Sequence, residues 1–246
     1  MIYGFCSLPV VPMRAEATDR AEMVSQLLFG DTFVVEQKGE KWSMVVADYD
    51  GYRGWVDTKQ IYLIDEQCYT KVRNWKGVIN ELITTAKMRE NDIVIPMGST
   101  VPTDAEGVDG LEIVYAHYAG SDTLLDIAAK WIGVPYLWGG KTCMGVDCSG
   151  FTQTVFKTCG IKLLRDASQQ ATQGVDVDNI ADALPNDLCF FHNDDGRIIH
   201  VGIYMGNGQI IHASGCVRVD GLDTRGIYNS SLQRYTHTLS AIRRVR

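Results

Sequence analysis

The stretch that most limits how this chain can fold runs His200-Val201-Gly202-Ile203-Tyr204-Met205-Gly206-Asn207-Gly208-Gln209-Ile210-Ile211-His212-Ala213-Ser214. Two runs rich in β-branched and apolar residues flank Gly-Asn-Gly, the signal of a tight antiparallel hairpin. A histidine stands in each arm. Register decides where they point, because a slip of one residue sends a side chain to the other face. A two-residue turn at Asn207-Gly208 pairs 203 with 212 and 200 with 215, which puts the histidines on opposite faces. A three-residue loop, Gly206 to Gly208, pairs 202 with 212 and 200 with 214. The imidazoles then share a face as diagonal neighbours, about 7–8 Å apart between backbones. If the two rings act together, an odd loop or a bulge is required.

Upstream, residues 1 to 65 read as strands. Val34-Val35, Trp42 to Val46 and Gly54 to Val56 are separated by turn signals at Gly30-Asp31, Lys38-Gly39-Glu40 and Asp50-Gly51. Short strands at this spacing predict a small barrel. In residues 66 to 120, Ile93 to Pro96 and Ile113 to Tyr115 read as strands joined by a loop from Met97 to Gly110, and Val78 to Arg89 as a helix. A second, degenerate barrel is the expectation there. From residue 121 the period changes. Leu124, Ile127, Ala128, Trp131 and Ile132 recur at helical spacing, with Ser121 or Asp122 as cap and Gly133 and Pro135 as the stop. A second helix follows Cys148, with Phe151, Val155, Phe156 and Cys159 on one face and Gly160 at its end. Strands return at Leu188 to Phe191, Ile198 to Met205 and Gln209 to Ala213. Helices followed by an antiparallel sheet make an α+β domain over 121 to 246.

Tyr136-Leu137-Trp138-Gly139-Gly140, followed by Asp147-Cys148-Ser149-Gly150-Phe151, places a cysteine at the mouth of that second helix. Free N–H groups and the helix dipole there favour an anion, which lowers a thiol's pKa and can hold an oxyanion. A thiol nucleophile needs a base, and the base needs an orienting group. His200 and His212 are the candidates for those two roles.

Composition narrows the field further. The 246 residues have a net charge of −7, which gives no electrostatic reason to expect nucleic acid or an anionic membrane. Seven cysteines, an odd number with no Cys-x-x-Cys pair, argue against a thiolate zinc site and fit a reducing compartment. Neither a membrane span nor a signal peptide is visible, so a cytoplasmic protein is expected unless a leader has been removed. Gly139-Gly140-Lys141-Thr142 fails as a phosphate loop, since the first glycine would fall at Pro135. His117, His192 and His237 read as structural, and Cys143 and Cys216 have no assigned role.

In order and spacing these motifs resemble the NlpC family: Tyr-x-Trp-Gly-Gly, Asp-Cys-Ser-Gly-Phe, Arg165-Asp166-Ala167, Asn186-Asp187-Leu188-Cys189-Phe190-Phe191, His-Val-Gly-Ile-Tyr and Ile-His-Ala-Ser. Asn186 stands where that family more often has glycine. The first 65 residues are similar to a bacterial SH3-like domain, through Glu22 to Gly30 and Gly51 to Val56. The resemblance implies an α+β papain-like domain over 121–246, preceded by SH3-like barrels over 1–65 and, in degenerate form, 66–120. It implies a Cys148-His200-His212 triad, with His200 as base and His212 as its orienting group, and no metal or organic cofactor. The two-part architecture is similar to γ-D-glutamyl-L-diamino acid peptidases that recycle murein peptides. That likeness implies that Glu22, Tyr52 and Asp147 receive a free amino end, here the ammonium of an N-terminal L-alanine. A carboxylate beside Cys148 otherwise opposes a thiolate. Ser149 and Ser168 are the candidates for the D-glutamyl carboxylate, although Ser149 also suits a helix start and a one-residue slip would put Ala167 in place of Ser168. The alternatives are an extracellular hydrolase of intact peptidoglycan, a non-catalytic wall-peptide binding module, and an acyltransferase or amidase sharing the thioester step.

Overall fold

The computed structural model describes residues 1–88, 91–102, 106–108, 111–115 and 122–246. The chain divides into two compact units, Met1–Ser121 with Trp138–Cys143, and Asp122–Leu137 with Met144–Arg246.

The first unit opens with strands β1 (Ile2–Phe5), β2 (Val10–Arg14), β3 (Met23–Leu28), β4 (Thr32–Gln37), β5 (Trp42–Ala47), β6 (Arg53–Asp57) and β7 (Tyr62–Ile64). They form one antiparallel sheet in the order β3-β2-β6-β5-β4-β1-β7. Every second side chain of β5 is buried, as a strand covered on one face requires. Val11, Met13, Leu27, Phe33, Val35, Val45 and Val56, from β2 to β6, meet in one cluster, so the sheet curls into an SH3-like barrel. Phe5, Phe29 and Ile64 instead pack with Tyr69 and Val72 of helix α1 (Glu66–Arg73) and with Trp75, Ile79, Ala86, Ile95 and Val101. Residues beyond the barrel thus build a second core against it. They hold β8 (Gly77–Val78) paired with β11 (Thr100–Val101), and a four-stranded sheet of β10 (Asn91–Pro96), β9 (Ile83–Met88), β13 (Leu111–Tyr115) and β12 (Glu106–Val108). In place of the helix expected over 78 to 89, Val78 ends β8 and Ile83–Met88 form strand β9, with Arg89 outside the described residues. Ile83-Thr84-Thr85 is β-branched and pairs with Pro96 to Val94, which overrides the helical spacing around it. The helix of this region is α1, where the Asp65 carboxylate accepts from Cys68 N at 2.7 Å. The loop expected from 97 to 110 contains β11 and β12. The segment Trp138–Cys143 includes β14 (Lys141–Thr142), and Lys141 N donates to Gln26 Oε1 at 2.7 Å.

The second unit begins with α2 (Leu124–Lys130), capped by Thr123 in a capping box with Asp126. The cap is thus Thr123 rather than Asp122, and Ser121 lies outside the described residues. Leu124, Ile127, Ala128 and Trp131 are buried, whereas Ile132 lies past the helix end and is exposed. After β15 (Gly145–Val146) comes α3 (Cys148–Thr158), buried along nearly its whole length, and Gly160 at φ +75° ends it. Cys159, expected on the inner face, is exposed. Phe151 of α3 meets Trp131 edge-on at 5.9 Å.

Helix α4 (Ala167–Gln170) and β16 (Val175–Asp176) lead to β17 (Leu188–His192), β18 (Ile198–Gly206), β19 (Gln209–Ser214), β20 (Cys216–Asp223), β21 (Gly226–Asn229) and β22 (Arg234–Arg244). Strand β22 pairs with β17 along its second half and with β21 along its first, so β17 to β22 close into a ring. Cys189, Phe191, Tyr204, Ile210, Leu222, Ile227 and Ile242 form one cluster on a common face of it. Helix α3 packs against β18 and β19. Among the described residues no helix is long and apolar enough to cross a membrane.

Candidate active site

Cys148 is the first residue of α3, and Asp147 is its N-cap, with Gly150 N donating to Asp147 Oδ1 at 2.6 Å. Opposite it, the β18–β19 hairpin turns at Asn207-Gly208, both at positive φ, the form favoured by an Asn-Gly turn. A bulge between Tyr204 and Gly206 absorbs one residue, so Gly202 faces His212 as the odd register required. Gly202 has to be glycine. A Cβ there would lie 2.8 Å from both His212 Cβ and Ile210 Cδ1.

Paired residues share a face. His200 pairs with Phe191 and His237 with Ile227, while His212 and Asp220 lie two residues from Ile210 and Leu222. All four side chains therefore project on the face that carries the strand cluster. His200 Nε2 and His212 Nδ1 are 2.8 Å apart, and His212 Nε2 lies 3.1 Å from Asp220 Oδ2. His237 stacks on His200, ring centres 4.2 Å apart and planes at 24°. Sequence reasoning missed Asp220 and read His237 as structural. Gly215, at φ +74°, was the available signal. A tight turn there sets His212 against Arg218 and brings Asp220 to the same face.

Arg165, 1% exposed, grips Asp147 through Nη2–Oδ2 at 2.6 Å and Nη1–Oδ1 at 3.1 Å, and Nη1 also donates to Ser149 Oγ at 3.0 Å. A buried polar lattice sets this up. Gln170 Nε2 donates to Ser149 O and Leu164 O, Thr152 Oγ1 donates to Gln170 Oε1, and Gln153 Nε2 donates to Leu163 O. The 163–165 segment is thereby held along α3. The Ser149 hydroxyl is tied into the ion pair. Ser168 is exposed on α4 beside buried Ala167. Glu22 and Tyr52 stand in the first unit. Glu22 is exposed and accepts from Trp138 Nε1, and Tyr52 packs on the barrel core.

Electrostatics overturn one expectation. The thiol at the helix mouth is not lowered. Burial first, then the Asp147 carboxylate, push Cys148 up to about 12 against hydrogen bonding from the Val201 main chain, the Arg165 charge and the Ser149 main chain. Desolvation outweighs the helix start. His200 is held well below the usual imidazole range by burial, then by His212 and His237. Both shifts favour the uncharged form, of the thiol and of the imidazole alike. Burial also pushes the Tyr136 hydroxyl up, helped by Cys148 and Asp147, which places this tyrosine in the same electrostatic neighbourhood. Among the described residues no group of three or more His, Cys, Asp or Glu side chains is arranged to hold a metal ion.

Residues 133–240 match the NlpC/P60 family, and residues 13–61 match the bacterial dipeptidyl-peptidase SH3 domain. The chain thus carries an NlpC/P60 domain, with a bacterial dipeptidyl-peptidase SH3 domain ahead of it in sequence. A gamma-D-glutamyl-L-lysine dipeptidyl-peptidase of Bacillus subtilis is 28% identical over 216 residues, covering 77% of this chain and 71% of that protein. A protein of the same name from Bacillus cereus is 39% identical over 111 residues, covering 43% of this chain but only 33% of its own length. Probable endopeptidase NlpC of Escherichia coli is 40% identical over 111 residues, 44% of this chain and 66% of that one. The crystal structure of an NlpC/P60 family protein from Bacillus cereus covers 98% of this chain and 99% of its own at TM-score 0.81 and 20% identity, a likeness of fold.

Proposed function

We propose that this protein is a cysteine peptidase that hydrolyses the γ-D-glutamyl-L-diamino acid bond of murein peptides carrying a free N-terminal L-alanine, in the recycling of wall peptides. The observation that carries the reading is the 2.8 Å contact between His200 Nε2 and His212 Nδ1, on strands packed against the helix that begins with Cys148. The names of the Bacillus relatives support the substrate class.

In this reading Cys148 Sγ attacks the γ-carbonyl carbon while His200 takes the thiol proton. N–H groups at the start of α3 hold the oxyanion. The C–N bond breaks as His200 passes its proton to the leaving amine, and a thioester remains. Water, deprotonated by His200, then cleaves the C–S bond, and the proton returns to sulfur. His212 orients His200. Glu22, Tyr52 and Asp147 are assigned to the substrate ammonium, and Ser149 and Ser168 to the D-glutamyl carboxylate. The domain assignment that accompanies the proposal is SH3-like over 1–65, degenerate SH3-like over 66–120 and peptidase over 121–246.

The test is digestion of L-Ala-γ-D-Glu-diaminopimelate and of its N-acetylated form, followed by mass spectrometry, with wild type and Cys148→Ala. Release of L-Ala-D-Glu from the free peptide alone, lost in the variant, is the expected result. Equal cutting of both peptides would remove the amine-reading role and favour a hydrolase of intact wall. No cutting of either would point to transfer chemistry or binding.

A further inference from the structure

The triad, as assigned in the proposed function, does not end at His212. Asp220 Oδ2 lies 3.1 Å from His212 Nε2, and both side chains are 1% exposed. Arg218 Nη2 donates to Asp220 Oδ1 at 2.9 Å, and Arg218 Nε lies 2.8 Å from Oδ2. We propose that Asp220, with Arg218 as its counter-ion, is a positioning residue that fixes the tautomers of both histidines and leaves Nδ1 of His200 as the basic nitrogen.

The chain of reasoning runs from the carboxylate inward. An ionised carboxylate only accepts hydrogen bonds, so His212 Nε2 carries a proton. In neutral His212, Nδ1 is then the acceptor, and the 2.8 Å partner, His200 Nε2, must be the donor. A neutral His200 protonated at Nε2 has its lone pair on Nδ1. Without Asp220 the order can reverse. His212 then donates from Nδ1, His200 accepts on Nε2, and its proton sits on Nδ1, where the base is needed. A base locked in the wrong tautomer loses most of its rate. No proton moves to Asp220. Its charge only stabilises the imidazolium that forms when Cys148 is deprotonated.

The titratable groups facing this cluster are His200 of β18, His212 of β19, Arg218 on the same strand as Asp220 and His237 of β22. Two variants of the full-length chain separate a positioning role from a packing role. Asp220→Asn removes the anion beside the imidazolium. Its kcat should fall about 100-fold with KM little changed, and the acid limb of kcat/KM should move to lower pH. Arg218→Gln leaves the carboxylate less neutralised, so the acid limb should move to higher pH. Imidazole 15N shifts, which need no substrate, should show His212 protonated at Nε2 in wild type and altered in Asp220→Asn. Acid limbs that move together or not at all, with unchanged 15N shifts, would overturn the relay while an inactive Cys148→Ala left the triad standing. Cleavage by Cys148→Ala would overturn the triad and the relay with it. Should Asp220→Asn fail to fold, Arg218→Gln and the wild-type shifts still decide the matter.

Discussion

Arg165 and Asp147 form a two-pronged, largely buried ion pair directly beside the residue at the head of α3. Two charges out of water are tolerable only together, and the loss of one partner strands the other. Arg165→Met should therefore cost about 3–5 kcal/mol of stability, read as a lower urea midpoint at unchanged slope. Arg165→Met combined with Asp147→Asn should recover part of that loss, in a double-mutant cycle with clear coupling.

The thiol of Cys148 should behave as a protonated sulfur throughout the neutral range. Burial and Asp147 push it up to about 12. Iodoacetamide labelling of Cys148, followed on its peptide by mass spectrometry, should keep accelerating with pH beyond 9.0, where an ordinary thiol levels off. Asp147→Asn removes a charge that opposes the thiolate and should quicken labelling at a given pH. A plateau near neutrality would show a preformed thiolate instead.

Gly202→Ala should damage the site without touching any reacting group. The new methyl meets His212 Cβ and Ile210 Cδ1 at 2.8 Å, so the hairpin or the imidazole must shift. Overpacking of this kind costs about 1–3 kcal/mol. Peptidase activity should fall by more than the melting temperature alone explains, because His212 moves off His200.

His237 should make the fold acid-sensitive. Burial first, then His212, hold its imidazole at about 4 against an ordinary 6.5. The folded state thus binds fewer protons than the unfolded state between those values. Stability should be whole above 6.5 and drain away as pH falls toward about 4. Urea titrations across that range should show the decline, and His237→Phe, which keeps a ring against His200, should flatten it.

Asn186 holds φ +81° where the similar motif more often carries glycine. Asparagine visits this region more readily than other side chains. Asn186→Gly should leave the melting temperature nearly unchanged, while Asn186→Val should cost about 1–2 kcal/mol.

What the sequence disclosed followed its periodicities. β-rich runs between turn signals gave β5, β17, β18 and β19, the helical stripe gave α2 and α3, and the parity of the hairpin predicted the bulge that brings His200 to His212. Between residues 66 and 115 the signal was mixed. Ile83-Thr84-Thr85 sits within a helical spacing, and long-range pairing with β10 and β13 decided for strand. The charge environment of the site was hidden for a related reason. Arg165 reaches Asp147 through a lattice of buried amides and hydroxyls, and Asp220 reaches His212 through a turn of a single glycine. Neither pairing leaves a periodic trace. The thiol's raised pKa depends on the burial of α3, which a helix-mouth position alone does not reveal.

The ring of β17 to β22 bears on the order in which the protein is made. A ribosome that has read as far as Asn229 has already supplied Cys148, His200, His212 and Asp220, yet the strand that joins β17 to β21 has not been translated. His237, which stacks on His200, arrives with that strand. Domains fold as units once their last pairing partner emerges. A nascent chain therefore holds Cys148 on α3 and both histidines in an unclosed sheet, and completes the cluster around them only when β22 enters between β17, made well before it, and β21, made just before it.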